Sequence, residues 1–329
     1  MIYNNFIMKI KDSIRNFAKK SNLIKKLYTE YCKYYFKKDP KLLANMDYRR
    51  VLGENIDWDH PENLIEKIYW MLFSTDTTLW SLCADKYRVR EFVIERGCGD
   101  LLNNLYGKWD RAEDIDYDLL PNEFVLKTNN SCGQVILVRD KDKLNKQLAN
   151  RKIQEWLRIP YGLTNSQLHY MRIKPCVIAE ELLHEESDTG HSLVDYKVWC
   201  FDGKPECVLV AYDRTGDDYK LSMFDLNWNN ISDRALNKLS RHFSGADIPC
   251  PASFDIILDA AGKLSLGFPE VRVDFYDIAG KAYFGELTFS TGYGSYTKEY
   301  YTYLGSKVNL GSLERLSFEK IMSEISIGH

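Results

Sequence analysis

"VRVDFYDIAGKAYFGELTF", residues 271–289, carries two acids inside runs that otherwise read as core-forming strands. Asp274 stands in "VRVDFY" (271–276), which alternates apolar and polar residues, and Glu286 stands in "KAYFGELTF" (281–289), which does much the same. Between them "DIAGK" supplies Asp277 and Gly280, residues that favour hairpin turns. The pattern predicts two antiparallel strands whose side chains alternate between faces. Arg272, Asp274 and Tyr276 share one face of the first strand. On the second, Lys281, Tyr283 and Gly285 alternate with Ala282, Phe284 and Glu286. An unpaired carboxylate in a half-buried sheet is costly. Either the acids face water or pair with Arg272, or a divalent cation compensates them. Two carboxylates on neighbouring strands suit an Mg²⁺ that keeps some waters and takes phosphate oxygens.

Composition sets the frame. A chain of 329 residues with 45% hydrophobic and 28% charged content is long enough for two or three subdomains around a large core. A net charge of −3 argues against a general nucleic-acid binder. No apolar run approaches the ~18 residues of a membrane span, and the first twenty residues lack a secretory pattern. The eight cysteines are scattered without a CxxC pair or metal-ligand spacing, which points to a reducing cytoplasm. Charge is uneven, however. Residues 1–50 hold 13 Lys and Arg against 4 Asp and Glu, and "FIMKIKDSIRNFAKKSNLIKKLY" (6–28) spaces its apolar residues as a helix does. That stretch is either an amphipathic helix packed on the body or one that touches an anionic membrane or polyanionic partner.

Along the chain, residues 1–60 read as a basic helical region. A helix start is expected at Asp59 or His60, just before Pro61. "PENLIEKIYWMLF" (61–73) reads as an amphipathic helix, and "ADKYRVREFVIERG" (84–97) as another, stopped by Gly97 and Gly99. "KWDRAEDIDYDLLPNE" (108–123) looks like an acidic linker. Short strands follow: "EFVLKTNN", "QVILVRD", "PCVIAEELL", "DYKVWCFDG" and "PECVLVAYDR", with a helix, "DKLNKQLANRKIQEWL", between the second and third. The organisation is α+β with an antiparallel sheet. Residues 296–329 look like a terminal helical cap.

Two further stretches carry candidate chemistry. In "FVLKTNNSCGQVILVRD" (124–140) a strand delivers Lys127 and then breaks into a small polar loop, Thr128 to Gly133. Such a loop can lay backbone N–H groups over phosphate oxygens while the lysine supplies a point charge, although an ordinary hairpin loop has the same look. "CVIAEELL" (176–183) is an apolar strand running into Glu180 and Glu181. A strand end of that kind can offer backbone groups to an adenine edge and a carboxylate to ribose hydroxyls.

The order of these pieces resembles the ATP-grasp superfamily, which pairs a phosphate-binding lid with a two-carboxylate Mg²⁺ site. More narrowly the chain is similar to the TupA-like branch, named for teichuronopeptide biosynthesis. The resemblance rests on "PENLIEKIYWM", "ADKYRVREFVIERG", "LYGKWDRAEDIDYDLLPNEFVLKTNNSCG", "VIAEELL", "DYKVWCFDGKP" and "VRVDFYDIAGKAYFGELTFSTGYG", and spans roughly 60–295. It implies an ATP-grasp fold, an antiparallel core sheet plus a small lid, behind a helical N-terminal region. The parts would be residues 1–60 (basic helical region), 61–120 (entry region), 121–182 (lid) and 183–329 (core with the metal site).

The resemblance also implies roles. Lys86 matches the first ATP-phosphate lysine and Lys127 the lid-strand lysine, with Asn130, Ser131 and Gly133 forming the lid loop. Glu180, Glu181 and Leu182 fall on the hinge that meets adenine. Asp195 and Lys197 stand where ribose- or phosphate-contacting residues occur, and Arg214 is placed to reach the transferred phosphate or an acidic substrate. Asp274 and Glu286 match the carboxylates for Mg²⁺ (or Mn²⁺), and Arg272 matches an arginine that steadies the acyl phosphate and tetrahedral species. The third metal position, usually Asn, is Thr288, a weaker neutral ligand. None of the six histidines falls in a matching motif.

The implied reaction is ATP-dependent ligation. ATP phosphorylates a carboxylate, an amine attacks the acyl phosphate, and an amide, ADP and phosphate leave, with positioning and charge neutralisation as the main catalytic devices. The family association implies cell-surface polysaccharide assembly, joining an amino acid or other amine to a uronic acid or glycan acceptor. With the cytoplasmic location that the scattered cysteines suggest, the basic N-terminal helix would suit peripheral contact with the inner membrane face. A phosphotransferase, or a non-catalytic nucleotide- or glycan-binding module, stands as the alternative.

Overall fold

A computed structural model of the chain describes residues 22–184, 193–216 and 218–325. Residues 1–21, most of the basic amphipathic stretch, lie outside them.

The described N-terminal region is helical. Helices Asn22–Lys38 and Pro40–Leu52 are separated by Asp39, whose side chain accepts from the Lys41 N–H while Pro40 takes the first helical position. The next helix, Leu64–Ser74, begins later than expected at Asp59 or His60. Asn63 is its cap, because Asn63 and Glu66 form a reciprocal capping box that satisfies the free N–H groups of the first turn. A second expectation also gives way. "ADKYRVREFVIERG" is not one helix. The helices Thr78–Ala84 and Val89–Glu95 are broken by a turn in which Asp85 accepts from the Tyr87 and Arg88 N–H groups, and this turn presents Lys86.

Two antiparallel sheets carry the remaining argument. The first has four strands in the order β1-β4-β2-β3: β1 (Leu105–Trp109), β2 (Phe124–Thr128), β3 (Val135–Val138) and β4 (Val177–Glu180). The linker reading of 108–123 is therefore corrected at its start. "LYGKW" pairs with β4 as an edge strand, and the polar residues after it form short 3-10 turns. A strand with only two apolar side chains and an internal glycine gives little periodic signal on its own. Phe124 and Leu126 of β2 pack with Ile153 of the helix Lys146–Leu157, and Lys127 and Glu180 lie on the opposite face.

The second sheet runs β7-β6-β5-β8-β9: β5 (Asp195–Phe201), β6 (Lys204–Thr215), β7 (Asp218–Phe224), β8 (Val271–Ile278) and β9 (Lys281–Thr288). One face presents Val198, Val273, Phe275, Phe284 and Leu287 to the main core with the helix Phe254–Ser265. β8 and β9 form the expected hairpin, with Gly280 in the left-handed region at φ 80° in its turn.

Simple alternation fails at one place in this hairpin. Asp274 pairs with Glu286, but Phe275 pairs with Phe284, so Gly285 is an extra residue in β9. This β-bulge reverses the phase of the strand. The expectation that Glu286 shares a face with Ala282 and Phe284 is therefore wrong. Glu286 and Thr288 cross to the face of Arg272, Asp274 and Tyr276, while Leu287 and Phe289 stay in the core. A Cβ at Gly285 would lie 3.0 Å from the Asp274 carbonyl oxygen, which accounts for glycine here.

Candidate active site

Three adjacent strands build one charged cluster on the polar face of the second sheet. Lys197 and Asp274 are direct cross-strand partners, and the Lys197 ammonium donates to Asp274 Oδ2 at 2.6 Å. Arg272 folds along its own strand as a fork, its Nε donating to Asp274 Oδ1 at 2.7 Å and its Nη2 to Oδ2 at 2.9 Å. Its remaining donors reach Thr288 Oγ1 (3.2 Å) and Thr291 Oγ1 (2.9 Å). Thr288 passes the network on by donating to Glu286 Oε1 at 3.1 Å. Lys86, about two hundred residues away in sequence, closes the far side with its ammonium 3.1 Å from Glu286 Oε2.

Lys86 also ties this hairpin to the first sheet. Its ammonium donates to the Ser131 carbonyl at 3.0 Å, and its backbone N–H donates to Asn129 O at 3.0 Å. The polar loop between β2 and β3 thus sits beside Glu286. Thr128 and Ser131 bond through their hydroxyls at 2.6 Å, Asn130 is buried with Oδ1 unpartnered, and Gly133 takes φ 75° with open space where a side chain would stand.

The charges shape one another's protonation. Burial pushes the Glu286 carboxyl up, but Lys86, Lys197 and Arg272 outweigh it and hold its pKa at about 2. Burial depresses Lys86 and Lys197, yet Glu286 in the first case and Asp274 with Asp195 in the second more than reverse this, so both lie above the ordinary lysine value. Arg272 is raised in the same way by Asp274 against the cost of burial. Each cation keeps its proton.

The other expected residues fall into two groups. Asp195 joins the cluster through Lys197 (3.4 Å) and holds Arg214 Nη2 at 3.0 Å, with the Arg214 guanidinium 4.7 Å from the Tyr219 ring centre. Lys127 and Glu180 form a separate ion pair on the first sheet, supported by Arg90 at 3.5 Å from Glu180. Glu181 lies just past β4, exchanging bonds with the backbone and side chain of Asn104, and Leu182 follows it half-buried. Arg90, Asn103, Asn104 and Thr291 were missed. Arg90 and Thr291 lie inside quoted blocks, whereas Asn103 and Asn104 act through partners distant in sequence and leave no local signal.

The donor set suits a divalent cation. Among the described residues no group of three or more His, Cys, Asp or Glu side chains clusters as a metal site. Asp274, Glu286 and the Thr288 hydroxyl could supply only part of an octahedral shell, leaving the rest to phosphate oxygens and water.

A sequence profile of TupA-like ATP-grasp proteins matches residues 66–309, from the helix of Glu66 to beyond the hairpin. The chain belongs to the TupA-like ATP-grasp family. Membership gives it the ATP-grasp fold. Similar solved structures include the D-alanine–D-alanine ligase of Bacillus anthracis complexed with ATP, at 15% identity and TM-score 0.43, covering 77% of this chain and 67% of that one. The ADP complex of purK, N5-carboxyaminoimidazole ribonucleotide synthetase, is 14% identical with TM-score 0.42, covering 67% and 48%. The ATP-grasp ligase PsnB with minimal precursor, Mg and ADP is 11% identical with TM-score 0.37, covering 76% and 60%. No curated protein matches the chain.

Proposed function

We propose that this TupA-like enzyme joins an amino acid to a uronic acid or peptide side chain during cell-surface polysaccharide assembly, through an acyl phosphate. The observation that carries the ligase part is the Asp274–Glu286 pair, compensated by cations from three separate segments with no histidine base among them. In this reading Lys86, Lys127 and the Asn130–Gly133 loop take the nucleotide phosphates, while Glu180, Glu181 and Leu182 meet the nucleoside. Asp195 and Lys197 hold ribose or phosphate, and the exchange of carboxylate for phosphate partners leaves the lysines paired throughout. Asp274, Glu286 and Thr288 would hold Mg²⁺, which neutralises phosphate charge when bound. Arg272 orients the acyl phosphate, and Arg214 orients the acidic substrate. The amine then attacks the acyl carbon, phosphate departs, and the nitrogen loses its proton to solvent. Residues 121–182 serve as the lid and 183–329 as the core.

The test is ADP and phosphate release from MgATP with uronic acids and nucleotide uronates crossed with the twenty amino acids. Acceptor-dependent phosphate with a mass gain for amide, lost in Glu286→Gln, supports the reading. ADP without free phosphate would replace it with phosphotransfer. Among the described residues no helix is long and apolar enough to cross a membrane. We extend the proposal to a cytoplasmic enzyme whose basic N-terminal stretch contacts the inner membrane face. Salt-sensitive sedimentation with anionic liposomes is expected, and no binding at low salt would refute it.

A further inference from the structure

The charged cluster has a further wall that belongs to neither sheet. Between the helix Lys146–Leu157 and β4 the chain forms a short helix, Tyr161–Thr164, and a 3-10 helix, Leu168–Arg172. Ser166 turns the chain between them in the left-handed region, at φ 56°. Gly162 lets the two pack closely, since a Cβ there would lie 2.7 Å from the Met171 nitrogen and 2.8 Å from the Gln167 carbonyl oxygen. This packing sets the Tyr161 and Tyr170 rings edge to face, with centres 5.1 Å apart. Two contacts hold the pair against the end of β9. His169 packs edge-on against Trp80 and Phe289, at 6.0 and 6.2 Å between ring centres, and Gln167 Nε2 donates to the Ser290 carbonyl at 3.4 Å.

Both phenols consequently stand beside the cluster. Cys132, Lys86 and Glu286 lie within electrostatic reach of the Tyr161 hydroxyl, and Glu286, Cys132, Arg272 and Asp274 within reach of that of Tyr170. Among the described residues neither hydroxyl has a hydrogen-bond partner, and both residues are only half-buried, so solvent still reaches them. Burial above all pushes both phenols above the ordinary tyrosine value, so each keeps its proton. Two uncommitted O–H donors therefore border the carboxylates of the hairpin.

We propose that the Tyr161 and Tyr170 hydroxyls bind the carboxylate of the acid substrate. The proposal rests on the ligase reading, in which that carboxylate is phosphorylated beside Asp274 and Glu286. The cations there are committed, Lys86 to Glu286 and both Lys197 and Arg272 to Asp274. A substrate carboxylate arriving next to these acids needs donors, and a neutral hydroxyl supplies one without a charge that would compete for the acids of the protein. When the amine attacks, negative charge gathers on the acyl oxygen, and donors already aimed at it stabilise that charge.

Two measurements on the full chain test this, with Tyr161→Phe and Tyr170→Phe as separate variants that keep the ring packing. In the first, sodium D-glucuronate and D-galacturonate at pH 7.5 with MgADP are titrated against the unfolding midpoint, with D-glucose, D-galactose and sodium chloride as controls. Saturable stabilisation by a uronate alone, weakened about ten- to a hundredfold in apparent affinity in either variant, is expected for loss of a hydrogen bond to a charged group. A response shared with the neutral sugars or with salt, no response, or equal responses of native protein and variants overturns the proposal. In the second, hydroxylamine traps the acyl phosphate as a hydroxamate. The KM for the acid should rise about ten- to a hundredfold in either variant while the KM for MgATP holds. An unchanged KM for the acid overturns the proposal, and a rise for MgATP instead overturns it by moving the phenols to the nucleotide. Absence of hydroxamate from the native enzyme with every acid defeats the ligase reading, and the uronate titration then decides the binding role alone.

Discussion

Replacing Glu286 by glutamine tests the electrostatics of the cluster before any substrate is known. The native carboxylate has its pKa lowered from 4.5 to about 2 by Lys86, Lys197 and Arg272, against burial. A shift of that size corresponds to about 3.4 kcal/mol at 1.36 kcal/mol per unit. The side chain is 35% exposed, so solvent screening reduces this, to about 1.7 kcal/mol by halving it. The folded pKa lies below the unfolded one, so the contribution is complete above about pH 4.5 and is lost as pH falls through about 2. Glu286→Gln should therefore destabilise the protein by about 1.7 kcal/mol at pH 7, and about two fifths of that difference should vanish by pH 3.5. Urea unfolding of both proteins at pH 7, 5 and 3.5, without nucleotide, measures it. A variant as stable as the native protein at pH 7, or a gap that stays constant down to pH 3.5, would refute the reasoning.

Gly285→Val should destabilise by about 1–3 kcal/mol, because the new side chain meets the Asp274 carbonyl and Tyr276 in a packed sheet; an unchanged urea midpoint removes the bulge from the account. Arg272→Lys keeps the charge but not the fork onto Asp274 and the bonds to Thr288 and Thr291, so kcat/KM should fall at least about tenfold; native-like kinetics would contradict a positioning role. His169 is fully buried with neither ring nitrogen partnered, and burial followed by Arg172 holds its pKa near 3. Its neutral form supports folding above about pH 6.5, and that support is lost as pH falls toward 3. His169→Phe should therefore flatten the acid limb of the stability curve, read by thermal melts from pH 7 to 4. Asn63→Ala should cost about 0.5–2 kcal/mol through loss of the capping box, read as a lower urea midpoint.

Local chemistry explains why the hairpin was legible, whereas the roles of its charged residues came from the family resemblance. A turn of Asp277 and Gly280 between alternating strands specifies a hairpin wherever it occurs, and acids within it stand out because sheets rarely bury charge without a partner. The small polar loop after Lys127 read no differently from an ordinary hairpin loop, and a phosphate role for it came from the resemblance alone. The helices Asn22–Lys38 and Lys146–Leu157 follow from apolar spacing, whereas the start of Leu64–Ser74 turned on a cap hydrogen bond that periodicity does not encode.

The sequence by itself determined that Arg272, Asp274 and Glu286 lie on adjoining strands, and that lysine-bearing segments precede them in a set order. It did not determine the face on which Glu286 emerges. One extra residue at Gly285 reverses strand phase, and only pairing against β8 reveals which residue is extra. Nor did it join Lys86 to Glu286 or hold Glu180 against Arg90. Those relations are contacts between distant segments. Their energies depend on burial and on which donors are already engaged, and both exist only once the two sheets have packed.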